Sequence, residues 1–297
     1  MHLSVIIATW NRSTILQRTL RSLVDMRVPE GVTYELLVCD NNSTDDTKAV
    51  VEGFKDALPL TYLFEATQGK SHALNLAIRH ATGAWLLFLD DDVQVDRQWL
   101  AAYIDGIAQH PEAACMGGAI HEWLDEPVSG WRAFLLREFP ATFGLLLLDK
   151  DIPMTVDRVP HGANMAVRSD KIVPGSFDPK RGMTGGKRVS GEDVLLTQRL
   201  LKLGETGWLL AGAKVGHHLP KDRTGVRAFC GWHVGIGRDW LLYRERPSPG
   251  RFGVAWWAWQ NMLRRTLRVA LNWRPWPTRQ YFTALAEAAQ YWGYLRG

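Results

Sequence analysis

The sequence predicts an α/β fold built on a parallel sheet, and three observations carry that expectation. Apolar runs "LSVIIAT", "YELLVCD", "LTYLFEA" and "AWLLFLD" recur through the first 120 residues. Stretches of helical periodicity separate them, the pattern of strands joined by crossover helices. The runs also end in polar groups, at Thr9–Asn11, Asp40 and Asp90–Asp92. Open sheets of this kind bind ligands beyond the carboxyl ends of their strands.

The first run has no alternation, as expected for a strand covered on both faces. Ser13 is placed to cap a helix carrying Ile15, Leu16, Leu20, Leu23 and Val24 on one face. "TDDTKAVVEGFKDA" opens with acids and reads as a helix. "GKSHALNLAIRHA" reads as another, and "DRQWLAAYIDGIAQH" as a third, with Trp99, Leu100, Tyr103, Ile104 and Ile107 together. Beyond about residue 120 the pattern loosens, and "KRGMTGGKRVSG" reads as a mobile loop. "GEDVLLTQRLLKLG" is a helix with an acidic start and Gly204 as its stop, and "TGWLLAGAKVGHHLP" a strand ending in two histidines. From 224 onward the chain reads as mainly helical, broken at "RPSPG" and "RPWP".

Composition sets limits on function. The 297 residues, 46% hydrophobic and 22% charged, are those of an ordinary globular protein with room for a sizeable core. Three scattered cysteines match neither a disulfide framework nor a metal spacing, and reduced thiols in the cytoplasm are expected. "MHLSVIIATW" lacks the features of a secretory leader, and no apolar window reaches the ~18 residues of a spanning helix. Residues 251–297 hold seven arginines, six tryptophans and a single acid, Glu287, so the basic balance is local. That segment reads either as a helical cap packed on the rest of the chain, as an interfacial element on an anionic membrane, or as a dimer contact. Its arginines would suit nucleic acid, but no nucleic-acid motif accompanies them.

Three constellations carry chemistry. Asp90–Asp92 follow a buried strand, where like charges repel and resist leaving water. One or two such acids complement the dipole of a following helix; three point to a divalent cation held by oxygen ligands. Glu192 and Asp193 open a helix, either as capping acids or as a source of a general base. His217 and His218, with Lys221 and Arg223 close behind, suit a metal or a diphosphate. "FEATQGKS" is no phosphate-binding loop, because Phe64 stands where its first glycine belongs, and no G-x-G-x-x-G follows a strand. An aspartate-nucleophile phosphatase would also use a strand-end acid, but nothing else in the chain supports it.

Taken in order, "VIIATWNR", "LLVCDNNSTDDT", "GKSHALN", "GAWLLFLDDDV", "HGANMAVR", "GEDVLLTQRL" and "VGHHLPKDRT" resemble the family 2 glycosyltransferases over roughly residues 3–240. The resemblance implies a GT-A fold: a Rossmann-like nucleotide-binding half, a mixed central sheet flanked by helices, and here a helical C-terminal extension. It divides the chain into a catalytic domain at 1–223, with a nucleotide half at 1–120 and an acceptor half at 121–223, and a Trp/Arg-rich region at 224–297. It implies metal-dependent, inverting transfer of a sugar from a nucleotide-diphosphate donor, a UDP-sugar first among them, to a saccharide or lipid-linked hydroxyl. Thr9, Asn11, Asp40, Lys70, Asn75, Asp90, Asp91 and Arg223 would contact the donor nucleotide. Asp92 and His217 would hold Mn²⁺ or Mg²⁺, Asn164 would shape the donor-sugar and acceptor pocket, and Asp193, with Glu192 beside it, would be the base. The implied location is cytoplasmic, with peripheral contact at the inner face of a membrane, or homodimerisation, through 251–297. A sugar-nucleotidyltransferase would need a Gly-rich basic loop where this chain has "ATWNRST", and a non-catalytic sugar-nucleotide-binding module would be expected to lack Asp193.

Overall fold

A computed structural model describes residues 1–179, 182–184, 187–189, 191–243, 256–273 and 278–296. The chain divides into two compact units, Met1–Trp123 with Gly144–His218, and Leu124–Phe143 with Leu219–Gly297.

In the first unit, β1 (His2–Thr9), α1 (Ser13–Val24), β2 (Thr33–Asp40), α2 (Thr47–Glu52), β3 (Leu60–Phe64), α3 (Lys70–His80) and β4 (Trp85–Leu89) realise the expected alternation. The strands β3, β2, β1 and β4 lie side by side and parallel. Next come β5 (Val93–Val95), α4 (Trp99–Gln109) and β6 (Ala113–Trp123). Helix α5 (Gly130–Glu138) belongs to the second unit. The first unit resumes with β7 (Ile152–Pro153), β8 (Asn164–Arg168), β9 (Gly182–Thr184), β10 (Lys187–Val189), α6 (Glu192–Lys202) and β11 (Thr206–His218). The full sheet runs β3-β2-β1-β4-β8-β6-β11-β5, with β7 also paired to β11. It is mixed: β8 is antiparallel to both β4 and β6, β6 is parallel to β11, and β5 is antiparallel to β11.

Local chemistry explains where elements begin. Helix α1 buries Leu16, Leu20 and Leu23, a stripe at helical spacing. Ser13 does not cap it; the cap position is Arg12, and the Ser13 N–H donates to Asp45 Oδ2 at 3.0 Å. Helix α2 is shorter than its acidic opening suggested. Asp45 accepts from both the N–H and the hydroxyl of Thr47, and this side-chain turn competes with helix before residue 47. The expected loop at 180–191 contains β9 and β10, paired antiparallel. The expected breaks at 246–250 and 274–277 lie outside the described residues.

Strands β6 and β8 escape the sequence pattern because of what presses on them. A Cβ at Gly118 would stand 2.0 Å from the Ala213 carbonyl and 2.2 Å from Asn164 Nδ2. These glycines read as breakers, yet they permit close approach of neighbours. Asn164 itself is fully buried. Its Oδ1 accepts from Trp99 Nε1 and Tyr103 Oη, both at 2.9 Å. Its Nδ2 donates to Ala119 O at 3.0 Å and Ala213 O at 2.7 Å. Its hydrogen-bonding capacity is taken by the core, and it ties α4, β6, β8 and β11 together.

The second unit comprises α5, α7 (Val226–Tyr243), α8 (Trp256–Leu271), α9 (Arg279–Arg296) and two short 3₁₀ helices. Phe282 is its buried centre, with the rings of Trp131, Phe134, Phe139 and Phe229 around it. Helices α7 and α9 meet through Gly237 and Gly293, where a Cβ would strike the Gln290 and Val234 carbonyls at 1.8 and 2.0 Å. His233 bridges Thr142 at 3.3 Å and Gln290 at 3.0 Å. Burial pushes its imidazole down to about 4.

The unfolded chain therefore takes up a proton at His233 before the folded one does. The contribution is complete above the ordinary imidazole pKa of ~6.5 and is lost as pH falls toward about 4. Relative to His233→Gln, the wild type is expected to lose on the order of 1–3 kcal/mol across that window. Urea denaturation of both proteins at a series of pH values measures the difference; parallel profiles would contradict it.

Candidate active site

The site forms where the parallel strands end. Thr9 is paired with Asp40 across β1–β2, and Ile7 with Leu89 across β1–β4, so Asp90–Asp92 leave the sheet beside the end of β1. These aspartates lead into β5, whose antiparallel pairing sets Val93 opposite His217. The His218 N–H donates to the Asp92 carbonyl at 2.8 Å. Strand register thus fixes the end of β11 against the aspartates.

Asp91 and Asp92 are buried, and their partners are specific. Asp91 accepts from the Thr9 hydroxyl at 2.8 Å and from Arg12 Nη1 at 2.7 Å. Its carbonyl accepts from Thr19 at 2.8 Å. Arg12 Nη2 reaches Asp92 Oδ2 at 2.7 Å, so one guanidinium forks across two carboxylates. Asp92 Oδ1 lies 3.4 Å from His217 Nε2. Burial, the largest influence on Asp92, pushes its carboxyl up; His217 and Arg12 together overcome it and hold Asp92 well below the usual carboxylate range. For Asp91 burial wins, and its carboxyl is raised despite Arg12.

Asp90 turns the other way. Its Oδ1 accepts from Lys70 Nζ at 2.5 Å, and the same ammonium lies 3.8 Å from Glu192. Burial opposes the charge on Lys70, but Asp90, Glu192 and Asp193 outweigh it and raise the ammonium above its ordinary pKa. Burial also raises the Glu192 carboxyl, with Lys70 pulling it down and Asp193 pushing it up. Lys70 is the first residue of α3, placed there by Gly69 at φ 139°. Glu192 and Asp193 open α6 after Gly191, whose φ of 102° suits only glycine well. Asp193 Oδ2 accepts from the Gly162 N–H, and Oδ1 accepts from the Val194 N–H at 2.8 Å.

Three acids and bases converge closely enough to hold a cation: ligand atoms of Asp90, Asp92 and His217 lie within 4.8 Å of one another. Two carboxylate oxygens and an imidazole suit Mn²⁺, and the carboxylates suit Mg²⁺. The sequence assigned Asp92 and His217 to the metal and Asp90 to the nucleotide; the structure brings all three together.

Other expected residues are engaged elsewhere. Asp40 is buried, accepting from the Ser43 N–H at 2.9 Å and the Tyr62 hydroxyl at 2.8 Å. Asn11, at φ 51°, accepts through its side chain from the Thr44 N–H at 2.6 Å. Asn75 is buried and holds the 175–177 turn, donating to Phe177 O at 2.7 Å and accepting from the Gly175 N–H at 3.0 Å. Arg223 lies in the second unit, on the 3₁₀ helix Lys221–Thr224. Arg12 went unremarked in the sequence, although it is the first cation after β1 and so falls on the ligand edge.

Residues 4–145 match the model of the glycosyl transferase family 2. Succinoglycan biosynthesis protein ExoM of Rhizobium meliloti is 32% identical over 119 residues, 39% of this chain and 38% of that protein. The match therefore spans little more than a third of that relative's length. A mannosyltransferase from Pyrobaculum calidifontis, solved with GDP-Man and Mn²⁺, superposes with a TM-score of 0.55 at 19% identity, covering 98% of this chain and 71% of that one. Staphylococcus aureus TarS 1–349 in complex with UDP-GlcNAc gives 0.52 at 18% identity, covering 99% and 89%. The fold is the GT-A fold, with additional helices toward the C-terminus.

Removing the Arg12 guanidinium leaves two buried aspartates short of counter-charge. Arg12→Met is expected to lower the unfolding midpoint in EDTA by on the order of 5 °C. Mn²⁺ is expected to raise that midpoint more in the variant than in the wild type. Thermal unfolding with and without the ion checks both; an unchanged midpoint would show that the pairing is not needed.

Proposed function

Because residues 4–145 match the model of glycosyl transferase family 2, we propose that the chain is a metal-dependent, inverting glycosyltransferase. It moves a sugar from a nucleotide-diphosphate donor to a hydroxyl acceptor, in polysaccharide or glycolipid synthesis. The observation that supports this most directly is the Asp90, Asp92 and His217 cluster, linked through Lys70 to Glu192 at the start of α6. Two structural neighbours were solved with GDP-Man and with UDP-GlcNAc, so a donor of that class is proposed here, with a UDP-sugar as the first candidate.

The nucleotide is assigned to the 1–120 half, with Thr9, Asn11, Asp40 and Asp91 closest to base and ribose. The acceptor is assigned to the half that follows, a saccharide or a lipid-linked sugar. Asp90, Asp92 and His217 would hold Mn²⁺ or Mg²⁺, which when bound neutralises charge on the diphosphate. Lys70 adds a fixed cation on the same side, and Arg223 is assigned the same task.

Asp193 acts as the base. Its carboxylate is oriented by two backbone N–H donors, from Gly162 and Val194. The acceptor hydroxyl gives its proton to Asp193 while its oxygen attacks the anomeric carbon from the face opposite the nucleotide. The bond from that carbon to the diphosphate oxygen breaks, and the diphosphate leaves with the electron pair. The transition state has oxocarbenium character, and no covalent enzyme intermediate forms. Glu192, beside Lys70, holds the charge balance between base and leaving group. Asn75 and Asn164 act by fixing the frame.

Asp193→Asn is expected to lower turnover by roughly 10³-fold or more, while UDP binding measured by calorimetry changes little. Near-normal turnover would remove Asp193 from the role of base. Chelation is expected to abolish turnover. Mn²⁺ is expected to raise the unfolding midpoint of the wild type and not of Asp92→Asn; equal shifts would place the ion elsewhere.

A further inference from the structure

The second unit carries a surface that the transfer reaction leaves unexplained. Helix α8 has two opposed faces. On one, Ala258 is buried, Trp257 lies against Tyr291 and Tyr294, and Arg265 pairs with Glu287 at 2.7 Å. On the other, Trp256, Trp259, Leu263, Leu267 and Leu271 recur at helical spacing and all face out. Trp256, Leu263, Leu267 and Leu271 are 61–71% exposed. Single exposed leucines are ordinary, but a continuous stripe along a helix about 24 Å long is not.

We propose that this face of α8 docks on an anionic phospholipid surface, with the helix lying in the interface plane. The charge pattern selects this occupant. Arg264 and Arg268 are exposed along one flank of the stripe, and α8 contains no acidic residue. Glu287, the single acid of residues 251–297, is taken by Arg265. A second copy docking through the same face would therefore meet the stripe with like charge, whereas a lipid surface offers anions beside hydrocarbon. Tryptophan at the stripe's start suits the headgroup level. Among the described residues no helix is long and apolar enough to cross a membrane, so docking would be lateral.

The test is flotation of the full chain with phosphatidylcholine vesicles containing about 30% phosphatidylglycerol, against phosphatidylcholine alone. Wild type is expected to float with the anionic vesicles, at least about tenfold better than with the neutral ones, with a blue-shifted tryptophan emission. Leu263→Gln/Leu267→Gln is expected to lose about tenfold or more in partition, and Arg264→Gln/Arg268→Gln to lose the preference for anionic lipid and its salt sensitivity. All four positions are exposed, so unfolding midpoints serve as the control for folding; should the leucine variant unfold early, the arginine variant decides. Absence of flotation, equal flotation of the leucine variant, or a dimer dissolved by that variant while vesicles are ignored would overturn the proposal. Neither readout needs turnover, so this result and the catalytic assignment stand or fall separately.

Discussion

Asp91 and Asp92 sit at the end of a strand that is buried throughout, where water cannot screen them, and the chain must bring counter-charge to them from elsewhere. It does so from two directions. Arg12 comes from the turn after β1, across the β1–β4 register. His217 comes from the end of β11, across the β5–β11 register. The third aspartate, Asp90, has its own cation in Lys70. Arg12 serves Asp91 and Asp92 together, His217 serves Asp92 and Lys70 serves Asp90, so the geometry of the site is a direct product of strand order.

Five carboxylates, Asp90, Asp91, Asp92, Glu192 and Asp193, gather near two permanent cations, Arg12 and Lys70. The excess of negative charge gives a divalent cation at this edge its physical basis. Arg12 is more exposed than the carboxylates it bridges, and its long side chain has rotamers that lead away from them. Lys70, by contrast, is held between Asp90 and Glu192 and belongs to both ends of the site.

Much of this was legible in the sequence, and the rest was not for definite reasons. The first four strands and the edge carrying Thr9, Asp40 and Asp90–Asp92 follow from periodicity, because strands buried on both faces leave continuous apolar runs. Strands β6 and β8 were invisible, since glycines and a buried asparagine read as turn signals when their neighbours are unknown. The same blindness explains Asn75 and Asn164: an amide that satisfies a core resembles, in sequence, one that awaits a ligand. Arg12 lay in plain view, but its meaning depends on β1 lying next to β4, which no local pattern states. That residues 124–143 pack with the C-terminal helices is likewise a matter of partners, with the Phe139 and Phe282 rings meeting across a long stretch of chain.

The sheet order also has a kinetic side. β1 pairs with β4, β4 with β8 and β6 with β11, each across a long loop of intervening chain. Such non-local pairings form slowly, because loop closure must precede the contacts that reward it. Until β11 docks, His217 is absent and Asp92 lacks half of its support. A nascent chain released before β11 is made thus holds the β3-β2-β1-β4-β8-β6 part of the sheet, with β5 and β7 unpaired and an unbalanced charge beside β5, and the closing strand is also the one that quiets it.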